Sequence, residues 1–178
     1  VRTNVPLPFA ARALWGLLPD GTVAVGFSGT YEIEILDPDK GRLRSGTHPV
    51  TPVGVSARDK EEVFASLTFA STSGSGISTN KGAPDYVVKN TEFPAAKPAF
   101  ENFLADDKGR LWVFPPPADL KAKPPVEIFG RDGAFLGRAA LDESWPAYPP
   151  AAFCAQGVWI ARTNEDGETR IVRYRIAA

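Results

Sequence analysis

The sequence predicts an all-β chain of four-stranded sheets, and three observations carry that prediction. The 178 residues include 17 prolines and 16 glycines, well above the roughly 12% that these two residues ordinarily share, so turns are many and long helices few. Apolar and polar residues alternate with period two around glycine corners, the pattern of half-buried strands. This grammar of strand, corner and strand occurs three times, in units whose length of about 40 residues and four strands marks stacked blades. The expected architecture is therefore a partial β-propeller of about three four-stranded antiparallel blades, the last incomplete, with one short helical insertion. It reads as a single propeller-like domain over residues 1–178, and a chain of this length can bury roughly 68–70% of its unfolded surface.

The first blade-like unit covers residues 10–48. Ala13 to Val25 runs ALWGLLPDGTVAV, an apolar segment, a Pro-Asp-Gly corner and then alternation. Tyr31 to Leu43 runs YEIEILDPDKGRL, with Tyr31, Ile33 and Ile35 on one face and Glu32 and Glu34 on the other. Glycine suits these corners because it takes positive φ at no steric cost. Residues 49–99 leave the pattern and form the insertion. Ser56-Ala-Arg-Asp59 is a capping box, after which Val63, Phe64 and Leu67 share a helical face, so one short helix is expected. The Gly/Ser-rich stretch STSGSGISTNKGAPD that follows reads as a flexible surface loop. The insertion is expected to link two blades, with a lid or docking element as the other reading.

The second unit covers residues 100–142. FLADDKGRLWVF gives strand, corner and strand, with Gly109 turning the chain, Trp112 entering the core and the acids facing water; VEIFGRDGAFLGRAAL gives two more strands. In the third unit, residues 149–178, AFCAQGVWIAR and ETRIVRYRI supply three strands, one short of a blade. A donor strand is expected elsewhere, and Val1 to Phe9 is a poor one because Pro6 and Pro8 cannot donate to a ladder. Trp15, Trp112 and Trp159 lie inside strand patterns, so packing between blades is their expected role.

The segments LPDGTVAVGFSGTYEIEILDPDKGRL, FPAAKPAFENFLADDKGRLWV, VEIFGRDGAFLG and RIVRYRI resemble the C-terminal half of bacterial six-bladed β-propeller proteins of the NHL and TolB-like kind. The resemblance implies an exported protein, periplasmic or otherwise extracytoplasmic, used for binding or catalysis. It also implies that a partner is needed to complete the ring, whether a protein partner, a second copy or about three N-terminal blades.

The chemical inventory is narrow. Twenty basic and 21 acidic residues give a net charge of −1, which offers no field to recruit nucleic acid. No run of 18 apolar residues predicts a transmembrane segment, and no signal peptide is legible. The chain has no methionine and begins Val-Arg-Thr-Asn, so it is not expected to be an intact translation product. The single cysteine, Cys154, reads as an inert thiol. His48 is the one histidine; it reads as an exposed connector residue, and with so few soft ligands zinc is excluded. Ser73 to Gly82 lacks the ending of a phosphate loop. Asp37-Pro-Asp39, Asp106-Asp107 and Asn164-Glu-Asp166 could offer oxygen to calcium, but acids before glycines more commonly cap their own turns. Glu32 and Glu34 read as a solvated face rather than a catalytic pair. The basic residues clustered near the end, Arg162, Arg170, Arg173 and Arg175, read as a solvated stripe. Trp145 and Tyr148, in SWPAYPP, are the candidate binding residues. No cofactor and no catalytic residue are assigned. The expected function is a non-catalytic module for protein binding or assembly, with a calcium-dependent, lactonase-like hydrolase or small-ligand propeller as the alternative.

Overall fold

The computed structural model describes residues 7–73, 76–117, 125–140, 151–154, 157–164 and 166–174. The chain forms two compact units, residues 1–10 with 52–97 and residues 11–51 with 98–178.

The larger unit is all-β. Its first sheet runs β1 (Ala13–Leu17), β2 (Val23–Phe27), β3 (Glu32–Asp37) and β4 (Gly41–Thr47), each antiparallel to the next. The fifth and sixth strands belong to the smaller unit. The second sheet holds β7 (Asn102–Ala105), β8 (Leu111–Phe114), β9 (Pro125–Phe129) and β10 (Phe135–Ala140), again in chain order. The third has three strands, β11 (Ala151–Cys154), β12 (Gly157–Thr163) and β13 (Thr169–Tyr174). These meandering antiparallel sheets form a partial propeller-like, all-β fold, and the strand counts of four, four and three are those that the sequence grammar predicts.

Two cores join the sheets in series. Ala24, Ile33 and Ile35 of the first sheet and Tyr31 beside it pack with Phe100, Phe103, Leu111, Val113 and Phe129. On the opposite face of the second sheet, Trp112, Phe114 and Val126 pack with Val158 and Ile160 of the third. The second sheet is thus covered on both sides, which is why all four residues of β8 are buried. Gly26 is required where the first two sheets approach: a Cβ there would lie 2.9 Å from the Phe100 ring. Gly109 turns the β7–β8 corner at φ +75°, as expected of it.

The smaller unit departs from the sequence reading. Helix α1 (Ala57–Ser66) begins at the expected capping box: the Asp59 amide donates to Ser56 Oγ at 3.1 Å and the Ser56 amide to Asp59 Oδ2 at 2.8 Å. The Gly/Ser-rich stretch is not an irregular loop, however, but a hairpin of β5 (Thr68–Ser73) and β6 (Gly76–Lys81), followed by a second helix, α2 (Asp85–Asn90). β-branched Thr68, Thr72, Ile77 and Thr79 favour extended backbone strongly enough to override the flexible composition around them. The hairpin is tied at its base by Gly82 and Ala83, whose amides donate to the carbonyls of Leu67 and Phe64 at 2.8 and 2.9 Å. Asp59 also forms a buried 2.9 Å ion pair with Lys97.

Candidate functional site

A buried polar cluster inside the larger unit lies where the first sheet meets the second. A tight turn after β2, closed by the Thr30 amide donating to the Phe27 carbonyl at 3.1 Å, delivers Tyr31 to the inward side of the alternating YEIEI. Opposite it stands Glu127 on β9, in register with Val113 and Arg138 of its own sheet and only 3% exposed. The Tyr31 hydroxyl donates to Glu127 Oε2 at 2.5 Å. Arg138 donates to Oε1 through Nε at 2.8 Å and forms an ion pair to the same oxygen at 2.7 Å. Burial, reinforced by the hydrogen bond to Glu127, pushes the Tyr31 phenol far above its ordinary value, because an anion there would face a buried carboxylate.

His48 completes the cluster, which corrects its expected place as an exposed connector. Its amide donates to the Tyr31 carbonyl at 3.1 Å, and this anchors the end of β4 over the second sheet. The imidazole stacks on Phe135 at 4.8 Å and lies edge-on to Tyr31 and Phe129 at 5.5 and 5.8 Å. Nε2 is 3.9 Å from Glu127 Oε1, too long for a hydrogen bond. Tyrosine, histidine and glutamate together could in principle move a proton, but both oxygens of Glu127 already accept bonds from protein. Among the described residues no buried side-chain nitrogen or oxygen lacks a partner. Tyr31, Ile33, Ile35, Leu111 and Phe129 also line a cavity of about 20 Å³, room for about one water where small-molecule sites need some hundreds of Å³. The arrangement is chemically a bolt between sheets.

Asp106 requires a second correction. Expected to face water, it is buried at the β7–β8 corner and takes four hydrogen bonds: Oδ1 from the amides of Lys108 and Arg110 at 3.0 and 2.9 Å, Oδ2 from Arg110 Nε at 2.6 Å and Trp112 Nε1 at 3.1 Å. Burial opposes its charge, yet the bonds from Trp112, Arg110 and Lys108 prevail and hold the carboxyl below its usual range. The tryptophan drags the acid inward, since a buried indole N–H needs an acceptor.

The other candidates separate. Asp37 Oδ1 accepts from the amides of Asp39 and Lys40 at 2.9 and 3.2 Å, and Asn164 Oδ1 from the Glu168 amide at 2.8 Å, so both serve their own turns. Among the described residues no three His, Cys, Asp or Glu side chains converge to hold a metal. Glu34 pairs with Arg42 at 2.7 Å and Glu32 is exposed. At the corners of the first two sheets, Pro19, Asp20, Asp107, Lys108, Gly109 and Arg131 line an open groove of about 300 Å³, crossed by an Arg131–Asp20 ion pair. Trp15, expected between blades, is 76% exposed, because it points to the face of the first sheet turned away from the second. Trp159 is partly exposed beneath Arg173, whose guanidinium lies 5.4 Å from its ring centroid. Trp145 and Tyr148 lie outside the described residues. Sequence reasoning missed Glu127, and the one available signal was the shared Glu-Ile of YEIEIL and VEIF, which aligns Glu127 with Glu34 in the two repeats.

Fold and cluster together define an all-β, propeller-like chain of serially packed sheets. The chain matches no family model and no curated protein. Among the described residues no helix is long and apolar enough to cross a membrane.

Proposed function

We propose that the chain is a non-catalytic β-propeller module that binds another protein or serves as an assembly subunit of a larger complex. The observation that carries this reading is the uncovered apolar face of the first sheet, where Trp15, Leu17 and Phe27 are all exposed; such a patch on a soluble protein marks an interaction surface. The saturated hydrogen bonding of the Tyr31–Glu127 cluster supports a structural role for it. Assignment to the NHL and TolB-like propellers, and with it a periplasmic or otherwise extracytoplasmic site of action, rests on the sequence resemblance. Calcium separates this reading from the lactonase-like alternative. A module held together by its own side chains keeps its melting temperature when calcium is added and leaves lactones intact. A rise of several degrees with calcium, accompanied by lactone hydrolysis, overturns it, since a ligand bound by the native state alone stabilises that state.

A further inference from the structure

The three sheets share one register. Across β1, β2 and β3 the paired rows are Trp15–Val25–Glu34 and Leu17–Val23–Leu36. Across β7, β8 and β9 they are Phe103–Val113–Glu127 and Ala105–Leu111–Phe129. Across β11, β12 and β13 they are Ala151–Ile160–Val172 and Phe153–Val158–Tyr174. In the second and third sheets the core residues of these rows face the preceding sheet: Phe103, Leu111, Val113 and Phe129 are buried against the first sheet, Val158 and Ile160 against the second. Trp15 and Leu17 therefore stand on the side where a preceding sheet packs, and Glu34 stands where Glu127 receives a tyrosine from its neighbour.

The intervening rows face the following sheet. Ala24–Ile35 and Trp112–Ile128 lie in the two cores, and the matching row of the third sheet is Trp159–Arg173, with Ala161–Ile171 beside it. There Ile171 is 66% exposed. Among the described residues, the outer faces of the first and third sheets are thus different, each built like one half of an internal joint.

We propose, building on the assembly reading, that these two faces meet between copies of this chain, head to tail, so that two copies close a ring. Charge favours the pairing: the first face carries exposed Glu32 beside the Glu34–Arg42 ion pair, a net negative charge, and the last carries Arg173. Number favours it as well. Propeller rings hold about 4–8 sheets, and the three larger sheets among the described residues, taken twice, give six. The contact joins unlike faces, and such contacts close only when rotation brings the last face back to the first.

The test is the solution mass of the chain by light scattering between micromolar and millimolar concentration, for wild type, Trp15→Glu, Ile171→Arg and an equimolar mixture of the two variants. The wild type is expected at twice the 19.1 kDa of one chain. Each variant alone, with both contacts of the pair damaged, is expected to associate roughly tenfold or more weakly. The mixture is expected to recover the double mass, because one contact of the mixed pair is then unaltered; only a joint of unlike faces behaves this way, and recovery also shows that both variants fold. A wild type that stays single to millimolar concentration, or variants that associate like wild type, overturns the proposal. If that single chain is also indifferent to calcium and lactones, the assembly reading survives with a different protein on Trp15. If calcium stabilises it and lactones are cleaved, both readings fall.

Discussion

Tyr31 and Glu127 are 96 positions apart in the chain and share a 2.5 Å hydrogen bond, so each can be tested through the other. Tyr31→Phe strands one oxygen of a buried carboxylate and is expected to cost about 1–3 kcal/mol. Glu127→Gln is expected to cost a similar amount, and the double variant less than the sum, as a chemical denaturation cycle would reveal. The phenol also has a pH signature. Its folded pKa is raised, so its contribution is complete below the unfolded value of about 10 and is lost as pH rises through the folded one. Wild type should therefore lose stability above about pH 10 more steeply than Tyr31→Phe, measured as melting temperature between pH 8 and 11. Asp106 has the opposite sign. Its depressed pKa contributes stability above about pH 4 that is lost on acidification, and Asp106→Asn, which turns an amide toward Arg110 and Trp112, is expected to cost about 2–4 kcal/mol and flatten the acid limb.

At the scale of elements, strands were legible wherever glycine corners interrupted period-two alternation, and α1 wherever Ser56 and Asp59 formed a capping box. The hairpin of β5 and β6 was not, because glycine and serine dilute its β-branched residues and its pairing is a relation between two segments rather than a property of either. Burial direction was legible only where the period was clean. Tyr31, Ile33 and Ile35 fall inward together, but Asp106 sits at a corner, where alternation assigns no side, and His48 follows a strand whose end is set by the neighbouring sheet. Tryptophan in a strand pattern says that a face is apolar without saying what covers it, which is why Trp112 is buried and Trp15 is not. The close approach at Gly26 makes an element-scale prediction. Gly26→Ala drives a methyl into the Phe100 ring and is expected to destabilise by about 1–3 kcal/mol, read as a lowered urea midpoint at unchanged slope.

For the whole molecule, a repeated sheet gives each face a direction: one row looks back at the preceding sheet, the next looks forward. Trp15 and Trp159 lie on the outer faces of the first and third sheets and report on them, while Trp112, 2% exposed, reports on a finished joint. Fluorine NMR of 5-fluorotryptophan-labelled chain, assigned by single Trp→Phe variants, reads all three through the H₂O/D₂O solvent shift. The expected result is a Trp112 signal indifferent to solvent at every concentration, with Trp15 and Trp159 signals solvent-sensitive in dilute solution that become protected together as the chain is concentrated. A Trp112 signal that senses solvent, or Trp15 and Trp159 signals that stay exposed at every concentration while the mass doubles, would contradict the account.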